Sequence, residues 1–355
     1  MFRILVINPG STSTKLAIYE DENEVLNQTV RHKTEEISKY DTITHQYEFR
    51  KNVIEEFLNK SGFPLASFSA IIGRGGLLKP IPGGVYKVND NMIDDLKKAI
   101  YGEHASNLGA IIAKELAKSV NIEAFIADPV VVDEMMAVAR ISGHPDFERK
   151  SIFHALNQKA IARQLAEKLG KNYEDMNIIV VHMGGGISIG AHYKGRVVDV
   201  NNALDGDGPF TPERSGTLPL TGVLELGFSG EYTLSDMKKL IKGNGGMTSY
   251  LNTNDAQMVQ KMIKDGDENA LLIYKSMAYQ ISKWIGKISA ALDFEIDAIA
   301  LTGGIAYDDN YINKWIREKV EFLAPIYVFP GGDEELALAL SALRALRGVQ
   351  EIKVY

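Results

Sequence analysis

The chain has 355 residues, of which 45% are hydrophobic and 24% are charged, a composition typical of globular proteins. Its length favours two domains, and its formal net charge of −7 argues against general binding to nucleic acid or to anionic membranes. The chain contains no cysteine, which excludes disulfides and cysteine-ligated metals. No apolar run approaches the ~18 residues of a membrane span and no signal peptide is recognisable, so we expect a cytoplasmic protein.

The first part of the chain predicts strands that alternate with helices. A buried strand over 2–7 and strands over 15–20 and 23–33 are expected to form a meander. The elements predicted next, in chain order, are a helix over 52–60, a strand over 68–76 that runs into a glycine turn, helices over 91–102 and 106–119, and a strand over 123–128 with a helix after Pro129.

The second part of the chain begins after residues 141–150, whose composition is that of a linker. Ser151 is expected to cap a helix over 152–170, and residues 177–200 predict three strands joined by two turns. A strand followed by a glycine turn is predicted over 297–310. The last helix is expected over 333–348, where its acidic start and late arginines suit the helix dipole.

Residues 6–19 and 180–193 share a pattern of strand, polar turn and strand. Aligned without gaps, they are identical at four positions, which pair Val6, Gly10, Ala17 and Tyr19 with Val180, Gly184, Ala191 and Tyr193. This internal similarity predicts an α/β protein with two duplicated domains and a cleft between them. We place the first domain at residues 1–145, completed by the C-terminal helix over 333–355, and the second at 146–332.

The two aligned turns have the chemistry of phosphate-binding loops. Successive backbone N–H groups in glycine or serine turns bind anions, and the glycines at 184–186 allow close approach to the backbone. The first turn adds the hydroxyls of Ser11 and Ser13 and the charge of Lys15, and a third glycine turn follows at 303–304. No Walker A motif is present, and the segment GGGISIG lacks the G-x-G-x-x-G spacing of a Rossmann fold.

Several charged side chains flank these turns. Arg74 lies in GRGG and Arg214 in FTPERSG, where small neighbours leave the planar guanidinium free to meet an anion. Asp128 follows a strand, a position that suits either a catalytic carboxylate or a helix cap. His182 directly precedes the triple glycine and is the histidine best placed for function.

These segments resemble those of the acetate and butyrate kinases, a family related to sugar kinases, actin and the Hsp70 ATPase domain. The resemblance covers nearly the whole chain and rests on VINPGSTSTK, GRGG, EHASN, ADP, IFHAL, VHMGGGIS, FTPERSG, LTGGIAYDD and DEEL. It implies duplicated actin-like, ribonuclease-H-like α/β domains with an interdomain cleft. It also implies ATP/ADP and Mg²⁺ as cofactors, and a homodimer or higher homo-oligomer as the assembly.

The resemblance further implies roles for individual residues in these motifs. The residues expected to be catalytic are Arg74, Asp128, His154 and Arg214. The residues expected to bind the nucleotide are Asn8, Ser11, Ser13, Lys15, His182, Gly184, Gly185, Gly186, Gly303, Gly304 and Ile305. The acid is expected to contact Arg74, Gly76, His104 and Phe153, and magnesium is expected to be supported by Asn8 and Glu334.

Two departures from acetate kinases bear on the acid substrate. The chain has Gly185 in place of an asparagine and Gly76 in place of a bulky apolar residue, and both changes resemble butyrate or branched-chain acid kinases. Gly76 is expected to leave space for a four-carbon acid. The implied reaction is reversible, ATP-dependent phosphorylation of butyrate or isobutyrate to acyl phosphate and ADP. An acetate or propionate kinase, a sugar kinase and a non-metabolic ATPase of the same superfamily are alternatives.

Overall fold

The computed structural model describes residues 1–355. The chain divides into two compact units, one formed by Met1–Val132 with Asp333–Tyr355 and the other by Asp133–Gly332. The C-terminal residues thus belong with the N-terminal unit, whereas residues 133–145 group with the second unit. The domain limits and the interdomain cleft expected from the sequence stay predictions.

Twelve strands form two sheets. In chain order the strands are β1 (Arg3–Pro9), β2 (Ser13–Glu20), β3 (Asn23–Arg31), β4 (Ala70–Arg74), β5 (Val85–Lys87), β6 (Glu123–Ala127), β7 (Asn177–Met183), β8 (Ile187–Tyr193), β9 (Arg196–Val200), β10 (Ala298–Gly303), β11 (Ile326–Pro330) and β12 (Ile352–Val354). The first unit contains the order β12-β5-β6-β4-β1-β2-β3, and the second contains β11-β10-β7-β8-β9.

Thirteen α-helices accompany the sheets, together with five short 3₁₀ segments. The helices are α1 (Thr34–Ile37), α2 (Tyr47–Ser61), α3 (Asp90–Lys98), α4 (Asn107–Ser119), α5 (Ala137–Arg140), α6 (Ala155–Lys168), α7 (Leu220–Gly227), α8 (Leu234–Ile241), α9 (Met247–Leu251), α10 (Ala256–Lys264), α11 (Glu268–Ser289), α12 (Ile312–Val320) and α13 (Glu334–Leu346). No helix combines the length and the apolar character needed to cross a membrane.

The two sheets repeat one topology. In the first unit, β1 pairs antiparallel with β2 and parallel with β4, β2 pairs antiparallel with β3, and β4 pairs parallel with β6. In the second unit, β7, β8, β9, β10 and β11 make the same four pairings in the same sense. The duplication predicted from residues 6–19 and 180–193 is confirmed, because these residues form the equivalent hairpins β1–β2 and β7–β8.

The central strands are apolar on both faces because helices cover both sides of each sheet. Ile4–Ile7 of β1 and Ile178–Val181 of β7 are fully buried, as expected for strands with parallel neighbours. In the first unit α4 and α13 both pack against β1. In the second unit α6 and α11 both pack against β7. Helices packed on the sheets in this way hold β1, β4 and β7 in place, and several of the predicted site residues lie at or near the ends of these strands.

Several predicted boundaries differ from the structure. No helix follows Pro129, and α5 begins only at Ala137. Helix α6 begins at Ala155, so His154 rather than Ser151 occupies the N-cap position. Helix α3 ends at Lys98 because Ala99 adopts a left-handed conformation with φ of 49°, three residues before the expected stop. The segment 219–289 contains five helices that were not predicted from the sequence.

Candidate active site

In the first unit, the ends of β1 and β4 place two predicted site residues side by side. The strands run parallel, so their carboxyl ends lie at the same edge of the sheet, with Asn8 on β1 and Arg74 on β4. Arg74 Nη1 donates to Asn8 Oδ1 at 3.3 Å and pairs with the carboxylate of Glu334. Asn8 Nδ2 donates to Glu334 Oε2 at 2.9 Å. The structure therefore brings Asn8, Arg74 and Glu334 together.

Glu335 is part of the same cluster and was missed by the sequence analysis. Asn8 Nδ2 donates to Glu335 Oε1 at 2.6 Å, and Lys15 Nζ lies 3.5 Å from Glu335 Oε2. Glu335 is buried, whereas the side chain of Glu334 is 25% exposed. Both acids stand in the first turn of α13, after Asp333, whose side chain caps the helix by accepting from Leu336 N at 2.8 Å. The repeated acids in DEEL were the available signal, but the sequence did not show which of them turns inward.

The turn between β1 and β2, together with the first two residues of β2, is called here the serine loop (residues 10–14). Gly10 N donates to Ser13 O at 2.8 Å, which closes the turn. Ser11 is exposed and Ser13 is half-buried. The loop is held from behind by Arg50 of α2, whose Nη1 and Nη2 donate to Ser13 O at 2.9 Å and to Ser11 O at 3.2 Å. Arg50 is fully buried, and this burial lowers the pKa of its guanidinium to about 10, so it remains charged at neutral pH.

Asp128 directly follows β6 and is buried. Its Oδ1 accepts from Gly84 N at 2.7 Å, and its own N–H donates to Gly84 O at 3.1 Å. It does not cap a helix, so that alternative from the sequence is wrong. Its φ of 37° lies in the left-handed region, which is uncommon for a non-glycine residue and often found at functional sites.

Gly76 and His104 lie close to helix α4 in the first unit. A Cβ on residue 76 would lie 2.5 Å from Asn107 Oδ1 and 2.6 Å from Asn107 Cα. The expectation that Gly76 leaves open space for a longer acid is therefore wrong, because the main chain of Asn107 occupies that space. His104 is exposed, and its Nδ1 accepts from Ser106 N at 3.2 Å.

In the second unit, His154 and His182 form a stacked pair. Their ring centroids lie 3.8 Å apart with an interplanar angle of 13°. His154 lies at the N-cap position of α6 and its Nδ1 is 2.9 Å from Ser188 Oγ, while His182 Nδ1 donates to Asn157 Oδ1 at 2.7 Å. The neighbouring Phe153 is buried. Helix α6 and the hairpin β7–β8 thus bring the two histidines together.

The turn between β7 and β8, residues 184–186, is called here the glycine loop. Gly184 N donates to Gly186 O at 3.0 Å, and Thr211 Oγ1 donates to Gly185 O at 2.6 Å. The guanidinium of Arg214 lies directly against Gly186, since a Cβ there would lie 2.1 Å from Nη1. Only glycine permits this approach of the arginine to the loop.

Arg214 is a half-buried cation with few hydrogen-bond partners. Its Nη1 donates to Ala203 O, whereas its Nε is buried without a hydrogen-bond partner. Burial lowers the pKa of its guanidinium, and the carboxylates of Glu213 and Asp205 oppose this shift only in part. A guanidinium with an unused donor is an unstable arrangement unless an anion completes it.

The third glycine turn follows β10. Gly303 has φ of 90°, and a Cβ there would lie 2.3 Å from Met183 O, so glycine is required for close packing on β7. Nothing lies within 4 Å of a Cβ built on Gly304. The side chain of Ile305 belongs to the hydrophobic core of the second unit. Any ligand at this turn would therefore meet the main chain and Gly304 rather than the Ile305 side chain.

Comparisons with known proteins agree with this arrangement. Residues 146–328 match the model of the acetokinase family. Butyrate kinase 1 of Clostridium acetobutylicum is 54% identical over 355 residues, which cover 100% of both chains. The chain belongs to the acetokinase family. This confirms the resemblance seen in the sequence, and the chain is therefore a kinase that phosphorylates a carboxyl group.

Solved structures of the family share the fold. The acetate kinase of Porphyromonas gingivalis superposes with a TM-score of 0.80 at 18% identity and covers 98% of this chain and 100% of that chain. A propionate kinase from Francisella tularensis has a TM-score of 0.73 at 18% identity, and the match covers 96% of this chain and 99% of that chain. The predicted α/β fold class with duplicated actin-like domains is thus confirmed for this kinase.

Proposed function

We propose that this kinase transfers the terminal phosphoryl group of ATP to butyrate or isobutyrate, giving acyl phosphate and ADP in a reversible reaction. The observation that carries the choice of acid is the 54% identity, over the full length of both chains, with a butyrate kinase. A carboxylate is already a nucleophile, so no general base is needed. The obstacle is repulsion between anions, which for two unit charges at 4 Å is ~4 kcal/mol at an effective dielectric of 20.

The roles we assign divide this electrostatic task between two cations. Arg74 binds the carboxylate of the acid, exchanging its contact with Glu334 for one with the substrate. Arg214 stabilises the transferring phosphoryl group, which supplies the anion that its buried Nε lacks. His154 donates a hydrogen bond to the same group. Asp128 completes the set proposed to act on the reacting atoms.

The nucleotide phosphates are assigned to the serine and glycine loops. Backbone N–H groups of the glycine loop, the hydroxyls of Ser11 and Ser13, and the ammonium of Lys15 are suitable phosphate donors. His182 and Asn8 border these loops, and the turn at Gly303, Gly304 and Ile305 is assigned to the adenosine. The acid is assigned contacts with His104, with Phe153 and with the main chain around Gly76.

The cluster of Asn8 and Glu334 fits a magnesium ion that is held mainly by water and nucleotide phosphates. Magnesium prefers oxygen ligands and commonly uses one or two carboxylates together with phosphates. The structure contains no group of three or more His, Cys, Asp or Glu residues suited to hold a metal by itself. Glu334 and the buried Glu335 supply the carboxylates. Bound there, the ion would neutralise phosphate charge during transfer.

We also propose a cytoplasmic location and a homodimer formed through helix α7. None of the residues of α7 is buried within the chain, and its apolar side chains at Leu220 and Leu224, with Phe228 just beyond, are 72%, 52% and 87% exposed. Exposed apolar residues spaced four apart form one stripe, which a second copy of the chain would cover. Light scattering should give a dimer mass that falls to the monomer mass in Leu224→Asp. A monomeric wild-type protein would contradict this assembly.

The proposed reaction is tested by following ADP release with butyrate, isobutyrate, acetate, propionate and glucose, while hydroxylamine traps any acyl phosphate. We expect hydroxamate to accumulate in step with ADP, with a higher kcat/KM for the four-carbon acids than for acetate. ADP release with glucose and no hydroxamate would instead identify a sugar kinase. A preference for acetate or propionate would overturn the butyrate assignment.

A further inference from the structure

A buried chain of hydrogen bonds extends behind His154 into the core of the second unit. His154 Nδ1 lies 2.9 Å from Ser188 Oγ, which lies 2.8 Å from Gln158 Nε2. Gln158 Oε1 lies 3.0 Å from His192 Nε2, and His192 Nδ1 lies 2.7 Å from the hydroxyl of Tyr173. Ser188, Gln158 and His192 are fully buried, so water does not compete for these bonds.

The direction of every bond in this chain is set by one main-chain carbonyl. Gln158 Nε2 donates to Ser188 O at 3.0 Å, and a carbonyl oxygen only accepts. The amide of Gln158 therefore presents its nitrogen to Ser188 and its oxygen to His192. The reverse orientation would place two carbonyl oxygens in contact, which is unfavourable in a buried site.

His192 is consequently a donor at Nε2 and an acceptor at Nδ1. Its Nε2–H donates to Gln158 Oε1, and the hydroxyl of Tyr173 donates to Nδ1. Burial, together with the nearby charges of Lys159 and Arg163, lowers the pKa of His192 well below its usual value. The ring is therefore neutral at physiological pH, as this single-donor arrangement requires.

Strand β8 is built to admit Gln158. Residue 190 lies opposite the amide, and a Cβ there would lie 2.4 Å from Gln158 Oε1. Gly190 thus leaves the space that the glutamine oxygen fills. This close approach holds the amide between Ser188 and His192.

The hydroxyl proton of Ser188 has a single position that its neighbours allow. Its Oγ accepts from Gln158 Nε2 at 2.8 Å and from the main-chain N–H of His154 at 3.4 Å. Apart from the imidazole of His154, both groups that contact this oxygen are therefore donors. The hydroxyl has one acceptor within reach, which is His154 Nδ1 at 2.9 Å. Ser188 therefore donates to Nδ1, and the proton of the neutral His154 ring must reside on Nε2.

We propose that Ser188 and Gln158 are positioning residues that hold His154 in the tautomer protonated at Nε2. An N–H at that atom is the hydrogen-bond donor that a transferring phosphoryl oxygen needs. The effect on catalysis rests on the proposed role of His154, whereas the tautomer itself rests only on the hydrogen bonds described above.

The tautomer is measured directly by ¹⁵N NMR of the full chain labelled at its seven histidines. The resonances of His154 are assigned as those missing in His154→Gln. In the wild-type enzyme we expect Nε2 to carry a proton and Nδ1 to show the shift of an unprotonated, hydrogen-bonded nitrogen. A protonated Nδ1 with an unprotonated Nε2 overturns the proposal without the need for any further variant.

Ser188→Ala tests the catalytic consequence, and Ser289→Ala is its control. Ser289 is equally buried in the same unit, but its hydroxyl donates only to Ile285 O within its own helix. In Ser188→Ala we expect His154 to lose its preference for the Nε2–H form. We also expect kcat to fall ~10- to 100-fold, as when partners that orient metal-bound histidines are removed. KM for both substrates should stay close to that of the control.

Two outcomes distinguish the positioning of the His154 ring by Ser188 from the proposed contact of His154 with the transferring phosphoryl group. Unchanged ¹⁵N shifts and unchanged kcat in Ser188→Ala overturn the positioning role. A lost tautomer preference with an unchanged kcat supports the structural inference but overturns the assignment of His154 to the transferring phosphoryl group. If Ser188→Ala does not fold, Gln158→Met provides the second variant. Without the Gln158 donor the Ser188 hydroxyl can also accept from Nδ1–H, so we expect His154 to lose part of its preference for the Nε2–H form, and an unchanged preference overturns the positioning role of Gln158.

Discussion

The serine loop and the glycine loop occupy equivalent hairpins in two sheets of the same topology, yet they are built differently. The serine loop offers side-chain hydroxyls, and the buried Arg50 holds its main-chain carbonyls from behind. The glycine loop offers only its backbone, and Arg214 packs directly against Gly186. The duplicated strands determine where each loop lies, and the local side chains determine which chemistry it supports.

The charges beside the two loops differ as well. Near the serine loop, Arg74 and Lys15 are matched by Glu334 and Glu335. Near the glycine loop, Arg214 makes no ion pair and donates to Ala203 O, while the carboxylates of Glu213 and Asp205 act on it only from a greater distance. The ion-paired cluster of Arg74 and Glu334 suits exchange of a carboxylate and a metal ion, and a guanidinium without an ion pair suits a group that gains negative charge. The same ancestral hairpin thus serves two purposes within one chain.

The largest effect is expected from Arg214→Ala. An arginine finger that stabilises a transferring phosphoryl group contributes ~10³–10⁵ to kcat in GTPases, and we expect a loss of this order. Arg214→Lys should recover little of this loss, because an ammonium lacks the planar fork. Steady-state kinetics measure the effect, with Arg196→Ala as the control because Arg196 is exposed on β9 of the same unit. Near-normal kcat in Arg214→Ala would contradict the assignment of phosphoryl transfer to the arginine beside the glycine loop.

Arg74→Ala is expected to weaken use of the acid rather than of ATP. Loss of one partner of a partly buried charge pair costs ~2–4 kcal/mol, or roughly 30- to 1000-fold in kcat/KM for butyrate. KM for the acid should rise more than KM for ATP. Arg3→Ala is a matched control, because Arg3 pairs with Glu20 at the opposite end of β1. An equal rise in both KM values would show that Arg74 does not select the acid.

Arg50→Met tests the support behind the serine loop. The substitution leaves Ser11 O and Ser13 O without their guanidinium donor, so the free energy of unfolding should fall by ~1–3 kcal/mol. A loosened loop should also raise KM for ATP by up to ~tenfold, which corresponds to ~1.4 kcal/mol of binding. Urea unfolding and ATP kinetics measure the two effects. Lys51→Met, on the same helix but in a surface ion pair with Glu115, should change neither by much.

The smallest effect is the pH dependence that His192 contributes to the stability of the glycine-loop unit. Burial lowers the pKa of His192 in the folded state, so below the unfolded value of ~6.5 the unfolded chain binds one more proton than the folded chain. Wild-type stability should therefore fall as pH decreases, by up to ~1.4 kcal/mol per pH unit more than that of His192→Gln. Urea unfolding at neutral and acidic pH tests this difference. Parallel profiles for the two proteins would contradict a neutral His192.

The sequence predicted the hairpins well because their signals are local. Strand, polar turn and strand lie within fourteen residues of each other, and their repetition revealed the duplication. Asn8, Arg74 and Glu334 were identified through motifs that resemble those of the acetate and butyrate kinases. Their contact follows from the parallel pairing of β1 with β4, which only the structure shows.

The supporting residues were not predictable because their contacts are long-range. Arg50 reaches the serine loop across nearly forty residues of chain, and Gln158 meets Ser188 across thirty. Neither residue lies in a motif that indicates such a contact. At Gly76 the sequence led to a wrong prediction, namely that the missing side chain leaves open space. The structure shows that Asn107 at the start of α4 fills this space.

The division between the two loops is tested most directly by calorimetric titration of butyrate and of ADP into Arg74→Ala and Arg214→Ala. We expect Arg74→Ala to lose measurable butyrate binding while its affinity for ADP stays close to that of the wild-type enzyme. Arg214→Ala should bind both ligands within about threefold of the wild type, because its contact is made in the transition state rather than in the ground state. The opposite result would be loss of butyrate binding in Arg214→Ala with normal butyrate binding in Arg74→Ala. It would contradict the assignment of the acid to Arg74, beside the serine loop, and of phosphoryl transfer to Arg214, beside the glycine loop.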